Sequence, residues 1–264
     1  MSFGRGLLYI ASAAGLALLV RSFLIGPVPL WIALVAFFAY VVLALLGVFV
    51  PRLEMFADIV CKGPRNVPEV ALTFDDGPHP EHTRKVLDLL DDAEAKATFF
   101  VLGSKVEEYP EVAREIVKRG HGIGVHGYTH DRIQSLRGPK RIQVDLERAL
   151  QAVEKATGHR PTLFRPPVGL VSPRTETAAT QLGLTIVGWS VKGRDGLARA
   201  EPRDVAARVR RGLRPGAIVL LHDAAEEGDR RPAGVDALQP ILAAIHGEGL
   251  KAVDVAKFVE RELD

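Results

Sequence analysis

Two long apolar runs without charged residues open the chain. Residues 6–20 carry no charge and are followed by Arg21, and residues 28–50 form a second uncharged run of 23 residues. A run of that length can cross a bilayer as a helix, and it is much longer than most buried helices of globular domains. Because the second run follows the first so closely, we expect a transmembrane helical hairpin over residues 1–52. A cleaved signal peptide is the alternative for the first run, although no A-x-A-like site follows Arg21.

The basic residues near the two runs bear on the orientation in the membrane. A hairpin would place the N-terminus and the rest of the chain on one side, while Arg21 would lie in the loop on the other side. Four basic residues flank the predicted hairpin on the first side: Arg5, Arg52, Lys62 and Arg65. This distribution favours a cytoplasmic domain. If only residues 28–50 span the bilayer, the domain lies outside, so the topology stays open at this point.

After residue 66, short apolar runs alternate with longer amphipathic ones. Alternation of this kind predicts an α/β domain with a parallel sheet, either doubly wound or closed as a barrel. Pro51, Gly63, Pro64 and Pro68 interrupt regular structure, so we expect a linker over residues 53–67 and the domain over residues 68–264. The seven predicted strands are 70–74, 97–102, 121–125, 162–165, 184–190, 217–221 and 250–254.

Charge and cysteine content narrow the functional classes. The chain has 34 basic and 32 acidic residues; without Arg5 and Arg21, which lie in the first 50 residues, 32 basic residues remain against 32 acidic ones. A formally neutral domain argues against nucleic acid as the main partner. The single cysteine, Cys61, excludes an internal disulfide framework and a multi-cysteine zinc site.

Two adjacent carboxylates follow the first predicted strand, in the stretch TFDDGPHP (73–80). Because side chains alternate along a strand, Asp75 shares a face with Ala71 and Thr73, and Asp76 begins the turn at Gly77. Parallel sheets and barrels carry their sites at the carboxyl ends of strands, where both carboxylates are predicted to lie. A simple Asp-Gly turn is the structural alternative.

A histidine pair follows another predicted strand, in HGIGVHGYTH (121–130). His126 and His130 are four residues apart, so a tight loop or one helical turn can direct both rings at one point. Two imidazoles with one carboxylate leave an open position on a tetrahedral metal, as in catalytic zinc sites. The stretch lacks the HExxH pattern of metalloproteases, and a hydrogen-bonded surface turn is the alternative.

Three further strand ends carry polar groups. Arg165 precedes two prolines in TLFRPPVG (162–169), Asp195 lies in GWSVKGRDG (188–196), and His222 ends the strand in AIVLLHD (217–223). Each group alone has a structural explanation, such as an ion pair, a turn or a helix cap. Five polar strand ends on one edge of a sheet together favour a functional site.

In this order and spacing, TFDDG, HxxxH, FRPPxG, WS…D and LLHD resemble the polysaccharide deacetylases of carbohydrate esterase family 4. The resemblance covers about residues 68–264 and implies the NodB homology fold, a distorted (β/α)7-type barrel, with N-deacetylase activity on amino sugars. It implies a divalent metal, usually Zn²⁺, with Co²⁺ or Ni²⁺ as alternatives. It says nothing about residues 1–67.

The resemblance also implies a role for each matching residue. Asp76, His126 and His130 match the metal ligands, and Asp75 matches the catalytic base. His222 matches the general acid. The remaining matches are Arg165, which orients the base, Asp195, which keeps His222 charged, the backbone N–H of Val168, which binds the oxyanion, and Leu220, a wall of the acetate pocket.

Four positions depart from the family pattern. Gly127 replaces a hydroxyl residue beside the first metal histidine, and Val168 replaces an aromatic residue. Lys192 stands where an Asp is frequent, and Gly196 replaces a Trp that walls the acetate pocket. The catalytic and metal positions are intact, so these departures bear on substrate preference.

Three functions are consistent with these residues. The first is a membrane-anchored deacetylase of a cell-surface glycan such as peptidoglycan, an exopolysaccharide or a chitin-like polymer, which needs an extracytoplasmic domain. The second is an N-deacylase of a lipid-linked amino sugar at the membrane face. The third is an inactive sugar-binding module attached to membrane lipid. The sequence does not indicate an oligomeric state.

Overall fold

The computed structural model describes residues 2–263. The helices are α1 (Phe3–Leu24), α2 (Leu30–Phe49), α3 (His82–Asp92), α4 (Gly103–Glu108), α5 (Pro110–Lys118), α6 (Pro139–Thr157), α7 (Pro173–Gln181), α8 (Pro202–Gly212), α9 (Ala233–Gly247) and α10 (Ala256–Leu263). The strands are β1 (Ile59–Val60), β2 (Glu69–Asp75), β3 (Thr98–Val101), β4 (Gly122–Val125), β5 (Leu163–Phe164), β6 (Thr185–Val187), β7 (Val191–Lys192), β8 (Ile218–His222) and β9 (Lys251–Val253).

The nine strands form one parallel sheet in the order β1-β6-β5-β4-β3-β2-β8-β7, with β9 paired to the first half of β2. Helices follow most strands and cover the outer face, which confirms the distorted (β/α)7-type barrel. Among the described residues no ladder joins β7 to the β1–β6 edge. The barrel is therefore open on the side where the chain passes from β6 to β7 through residues 188–190.

The two faces of β2 explain why the sheet curls around an interior. Val70, Leu72 and Phe74 belong to the large hydrophobic cluster between sheet and helices. Ala71 belongs to a smaller cluster inside the barrel, which Phe258 of α10 completes. The alternation of side chains predicted for this strand is confirmed, and it leaves Asp75 on the interior face at the carboxyl end.

Two of the observed strands, β1 and β7, were absent from the predictions. The first, β1, falls within the predicted linker and pairs with β6 at Ile59 and Val60. Met55 and Ala57 are buried in the same segment. The segment 53–67, which its prolines and glycines predict to be a linker, therefore packs onto the domain.

The N-terminal helices α1 and α2 are long, apolar and largely exposed. They are 22 and 20 residues long, and both are apolar enough to cross a membrane. Ser12 and Tyr40 approach to 3.3 Å between their hydroxyl oxygens, so the helices run side by side as a hairpin. At the domain end, Arg5 pairs with Asp58 at 2.9 Å. The helices predicted for this region are confirmed, and their span across a bilayer stays a prediction.

The packing of Phe99 provides a test of the core. Its ring stacks on Phe74 with centroids 5.2 Å apart, and both side chains are fully buried. We expect Phe99→Ala to lower the free energy of unfolding by about 3–5 kcal/mol, because it leaves a cavity between sheet and helices. Urea unfolding of the detergent-solubilised protein, followed by circular dichroism, measures the loss. Val144→Ala, at an exposed position of α6, is the control and should change it by less than about 0.5 kcal/mol.

Candidate active site

The site residues lie at the carboxyl ends of neighbouring parallel strands. Asp75 ends β2 and is in register with His222, which ends β8. His126 and Arg165 directly follow β4 and β5, which pair through Val125 and Phe164. Because parallel strands end at the same edge of the sheet, four segments distant in sequence converge on one side of the barrel.

Arg165 is fully buried inside the barrel and fixes Asp75. Its Nη1 donates hydrogen bonds to Asp75 Oδ1 at 2.8 Å and to Thr73 Oγ1 at 2.7 Å. The remaining guanidinium nitrogens donate to the carbonyl oxygens of Val187 at 3.2 Å and Gly188 at 2.8 Å. Asp75 Oδ1 is thereby occupied, and Oδ2 is left toward the cleft, 3.9 Å from His126 Nε2.

Asp76 lies between the two histidines. Its Oδ1 is 3.6 Å from His126 Nε2 and 3.6 Å from His130 Nε2. Within residues 2–263, no group donates a hydrogen bond to this oxygen although it is buried. A buried carboxylate oxygen without a partner is costly unless a cation occupies the space beside it. One ligand atom from each of the three residues falls within a sphere typical of metal binding, all within 4.8 Å of one another.

The backbone at this centre adopts conformations that side chains disfavour. Asp76 has φ of 71° and His130 has φ of 54°. Left-handed conformations at non-glycine residues are uncommon and are frequent at functional sites, where the surroundings hold them in place. Here they direct the Asp76 carboxylate and the His130 ring toward His126.

The outer nitrogen of each histidine ring lies close to an oxygen atom. His126 Nδ1 lies 2.6 Å from the carbonyl oxygen of Arg165, to which it donates. His130 Nδ1 lies 2.9 Å from Glu226 Oε1, a contact with the negative carboxylate whose angles are not those of a hydrogen bond. Protonation at Nδ1 leaves each Nε2 lone pair free to bind a metal ion.

Glu226 was not identified from the sequence. It lies in the loop after β8 and pairs with Arg132, which with the nearby His130 lowers the pKa of its carboxyl to about 2. The carboxylate is therefore negative at neutral pH and favours a proton on His130 Nδ1. No local pattern distinguishes Glu226 from Glu227, because its position over His130 depends on the path of the loop.

The set Asp76, His126 and His130 fits a divalent cation such as Zn²⁺. One carboxylate oxygen and two imidazole nitrogens are ligands that zinc accepts, and three protein ligands leave a further position for water or substrate. Nitrogen ligands of this kind also suit Co²⁺ and Ni²⁺, so the donor set does not identify the metal.

His222 lies across the cleft, with Asp195 behind it. Its Nδ1 donates to Asp195 Oδ1 at 3.0 Å, and its backbone N–H donates to Asp195 Oδ2 at 2.7 Å. Burial lowers the pKa of the imidazole, but the hydrogen bond and negative charge of fully buried Asp195, together with Asp76, outweigh it and raise the pKa to about 9. The ring thus remains protonated at neutral pH. It stabilises the fold below the ordinary histidine pKa, and this contribution is lost as the pH rises through about 9.

The open cleft has a volume of about 1190 Å³, and the predicted residues lie on its walls or directly behind them. Val168, whose φ is 52°, borders the cleft, and Leu220 and His222 line it as well. Trp189, which has no role assigned from the sequence, lines the cleft between β6 and β7. The structure therefore brings together the nine residues assigned from the sequence: Asp75, Asp76, His126, His130, Arg165, Val168, Asp195, Leu220 and His222.

The backbone conformation at position 127 explains why a glycine occurs there. Gly127 has φ of 87°, and a Cβ added there would lie 3.1 Å from Asp145 Oδ2. Asp145 instead accepts hydrogen bonds from the backbone N–H of Tyr128 at 3.1 Å and from Gln134 at 2.9 Å. The half-buried carboxylate of Asp145 thus supports the histidine loop through Tyr128 and Gln134.

Comparison with known proteins agrees with this geometry. The family profile described as polysaccharide deacetylase matches residues 62–187. A peptidoglycan-N-acetylglucosamine deacetylase of Bacillus cereus is 34% identical over 216 residues, which is 79% of this chain and 96% of the relative. The chain belongs to the polysaccharide deacetylase family. The resemblance to carbohydrate esterase family 4 is therefore confirmed.

Other relatives of this polysaccharide deacetylase family differ in substrate and activity. A chitooligosaccharide deacetylase of Sinorhizobium fredii is 34% identical, over 69% of this chain and 87% of its own. A crystal structure of a peptidoglycan N-acetylglucosamine deacetylase has a TM-score of 0.70 at 31% identity and covers 75% of this chain and 91% of its own. A CE4 family pseudoenzyme from Bacillus anthracis has a TM-score of 0.70 at 27% identity, covering 78% of this chain and 71% of its own. Since active and inactive members share the fold, activity has to be argued from the site.

The buried pair of Arg165 and Asp75 gives a stability test. Arg165→Met should lower the free energy of unfolding by about 3–5 kcal/mol at neutral pH, because it leaves the Asp75 carboxylate buried without a cation. The double variant Arg165→Met/Asp75→Asn should regain much of that loss, since the uncompensated charge is gone. Urea unfolding of the wild type, both single variants and the double variant completes the cycle. Additive losses would contradict the direct coupling of the two side chains.

Proposed function

We propose that the protein is a metal-dependent N-deacetylase that removes acetyl groups from amino sugars of a cell-surface glycan, with its catalytic domain outside the cytoplasm. The observation that carries this proposal is the convergence of a metal-ligand set, a carboxylate and a protonated imidazole on one cleft. Asp76, His126 and His130 form the ligand set, and Asp75 and His222 flank it. Hydrolysis of an amide requires an activated water, a stabilised oxyanion and a proton for the leaving amine, and this arrangement provides a group for each.

The metal site supplies the first of these needs. A Zn²⁺ ion held by Asp76, His126 and His130 would lower the pKa of a water molecule and polarise the acetyl carbonyl group. The unpartnered Oδ1 of Asp76 supports a cation at this point. The same positive charge would also reduce the repulsion between the adjacent carboxylates of Asp75 and Asp76.

Asp75 is the proposed general base. Arg165 holds its Oδ1, so Oδ2 is the oxygen that accepts a proton from the attacking water. The water oxygen then forms a bond to the carbonyl carbon. Because Arg165 is buried and makes four hydrogen bonds, the Asp75 carboxylate is held in one orientation before the substrate binds.

His222 is the proposed general acid. Its Nδ1 is bonded to Asp195, so Nε2 faces the cleft, 4.0 Å from Asp76 Oδ2. The proton on Nε2 passes to the amide nitrogen as the C–N bond breaks, which releases acetate and a free amine. The hydrogen bond and negative charge of Asp195, which raise the pKa of this imidazole most, favour the protonated ring that a general acid requires.

The remaining wall residues suit the acetyl group. Val168 lines the cleft, and its backbone N–H is the proposed donor to the developing oxyanion. Leu220 is nearly fully buried beneath the cleft and provides apolar contact for the acetate methyl group. Gly196 leaves the space beside His222 open, so a bulky sugar substituent can enter there.

Two substitutions separate metal binding from proton transfer. We expect His126→Ala to lose zinc and activity, and Asp75→Asn to retain zinc while the rate of acetate release falls by at least about 100-fold. Zinc content of the purified full-length protein and acetate release from chitooligosaccharide or peptidoglycan with added zinc measure both effects. His159→Ala, an exposed histidine outside the cleft, is the matched control.

The outcomes of this experiment are distinct. Equal loss of zinc in both variants would contradict the division of roles between Asp75 and the ligand set. A wild-type protein that binds zinc and glycan but releases no acetate would instead support an inactive binding module, like the structurally similar pseudoenzyme.

The second candidate function is N-deacylation of a lipid-linked amino sugar at the membrane face. It is favoured by Arg52, three residues after α2, which donates hydrogen bonds to the backbone carbonyls of Trp189 and Ser190. Trp189 lines the cleft, so the proposed membrane anchor is tied directly to one wall of the site.

Membrane topology distinguishes the two candidates. Reporters active on only one side of the membrane, fused after residue 264, should place the catalytic domain outside the cytoplasm. Fusion of the same reporters within the loop at residues 25–29 provides the internal comparison for a hairpin. A cytoplasmic domain would exclude the cell-surface glycan and leave the lipid-linked sugar as the substrate.

A further inference from the structure

One wall of the cleft carries three cations that the proposed reaction does not use. Lys192, Arg194 and Arg230 line the cleft on the side of β7 and the loops that flank it. All three side chains are exposed. Within residues 2–263, none of them forms an ion pair, whereas a fourth cation of the cleft, Arg132, is paired with Glu226. The wall formed by Lys192, Arg194 and Arg230 is called the cationic wall below.

The acidic residues of the cleft do not neutralise the cationic wall. Asp75 is paired with Arg165, and Asp131 is paired with Arg137 at 2.8 Å. Glu226 is paired with Arg132, and Asp76 faces the histidines. Glu227 is the remaining carboxylate that borders the cleft. With Asp76 assigned to the proposed metal ion, three positive charges face the single carboxylate of Glu227, which gives this wall a positive field in a cleft open to substrate.

The cationic wall is close to the proposed general acid. A Cβ added at Gly196 would lie 3.4 Å from His222 Cε1, so Gly196 is in contact distance of that ring. Arg230 donates a hydrogen bond to the carbonyl oxygen of Gly196 at 2.6 Å. Gly196 therefore lies between the guanidinium group of Arg230 and the ring of His222 and is close to both. A group bound by it belongs to the sugar that is being deacetylated or to its immediate neighbour.

The backbone that carries two of the cations is held in place. Gly193 N–H donates to the carbonyl oxygen of Leu220 at 3.0 Å, and the Gly193 carbonyl accepts from Arg208. Asp195 is fully buried against His222. Arg194, with φ of 59°, lies between these two fixed points. Such a loop fixes the backbone positions from which the Lys192 and Arg194 side chains extend into the cleft.

We propose that the cationic wall is a subsite for a phosphate group carried by the amino-sugar substrate. This inference rests on the proposed deacetylase function and specifies its substrate class. Two guanidinium groups and one ammonium group supply charge and donors for the several oxygens of a phosphate, whereas a single carboxylate would be satisfied by one arginine. The position of the wall next to Trp189 and Arg52, where the chain leaves α2, is also where the phosphate of a membrane-bound sugar would lie.

The test compares glycans that differ only in the charged group. The full-length protein with zinc is assayed on neutral chitotetraose, on chitotetraose 1-phosphate and on chitotetraose 6-phosphate. We expect kcat/KM for a phosphorylated glycan to exceed that for the neutral one by about tenfold or more, mainly through KM. Raising the salt concentration from about 0.05 to about 0.5 M should remove most of that preference, because exposed charges are screened.

The matched variants assign the effect to the cationic wall. We expect Lys192→Gln/Arg194→Gln/Arg230→Gln to raise KM for the phosphorylated glycan about tenfold, with KM for the neutral glycan and kcat nearly unchanged. The control variant Lys140→Gln/Arg141→Gln/Arg203→Gln removes three exposed cations elsewhere and should retain the preference. An equal kcat/KM for neutral and phosphorylated glycans in the wild type, or the same change in both triple variants, would overturn the proposal.

Further comparisons identify the source of the phosphate, and they distinguish a failure of the phosphate subsite from a failure of the proposed deacetylase function. Preference for the 1-phosphate supports a lipid-linked sugar, and preference for the 6-phosphate supports a phosphorylated wall glycan. Equal preference for a muramic acid-containing glycan, which carries a carboxylate, would overturn the assignment to phosphate. Binding of the same glycans to zinc-loaded Asp75→Asn, measured by calorimetry, tests the subsite without turnover, whereas absence of hydrolysis with all glycans would contradict the deacetylase function.

Discussion

The buried guanidinium group of Arg165 holds the site together, because it connects three strands of the barrel. It bonds to Asp75 and Thr73 on β2 and to the backbone carbonyls at the end of β6, while its own carbonyl accepts from His126 after β4. A buried arginine without these partners would be strongly destabilising. The proposed base and one proposed metal ligand are thus oriented by the same residue, and neither can move without disturbing the pairing inside the barrel.

The open side of the barrel explains where the cleft and the proposed anchor meet. Between β6 and β7 the chain crosses the sheet through residues 188–190 without a helix. Gly188 N–H donates to the carbonyl oxygen of Val60 on one edge, and Ser190 N–H donates to that of Ile218 on the other, both at 2.9 Å. Arg52 binds the backbone in this gap. The segment that follows the apolar hairpin therefore contacts the backbone in the gap beside Trp189 and reaches one wall of the cleft.

Prediction from the sequence succeeded where a pattern is local and long. The alternation in β2 placed Asp75 on the interior face, and the amphipathic runs between the predicted strands contain α3, α5, α6, α8 and α9. It failed for β1, which lies among the prolines and glycines of the predicted linker, and for β7, which directly follows the predicted strand 184–190. Glu226 was missed because its approach to His130 depends on a loop rather than on a spacing. The contact of Asp145, from α6, with the histidine loop at Tyr128 was missed for the same reason.

The sequence alone determined the order of the polar strand ends, the type of each candidate ligand and the presence of two apolar helices before the domain. These properties depend on composition and on contacts between near neighbours in the chain. The tertiary structure decided which oxygen of Asp75 is free, which nitrogen of each histidine faces Asp76, and that three cations share one wall of the cleft. Those properties arise from the pairing of strands and the packing of loops from distant parts of the chain, whose distances no local pattern encodes.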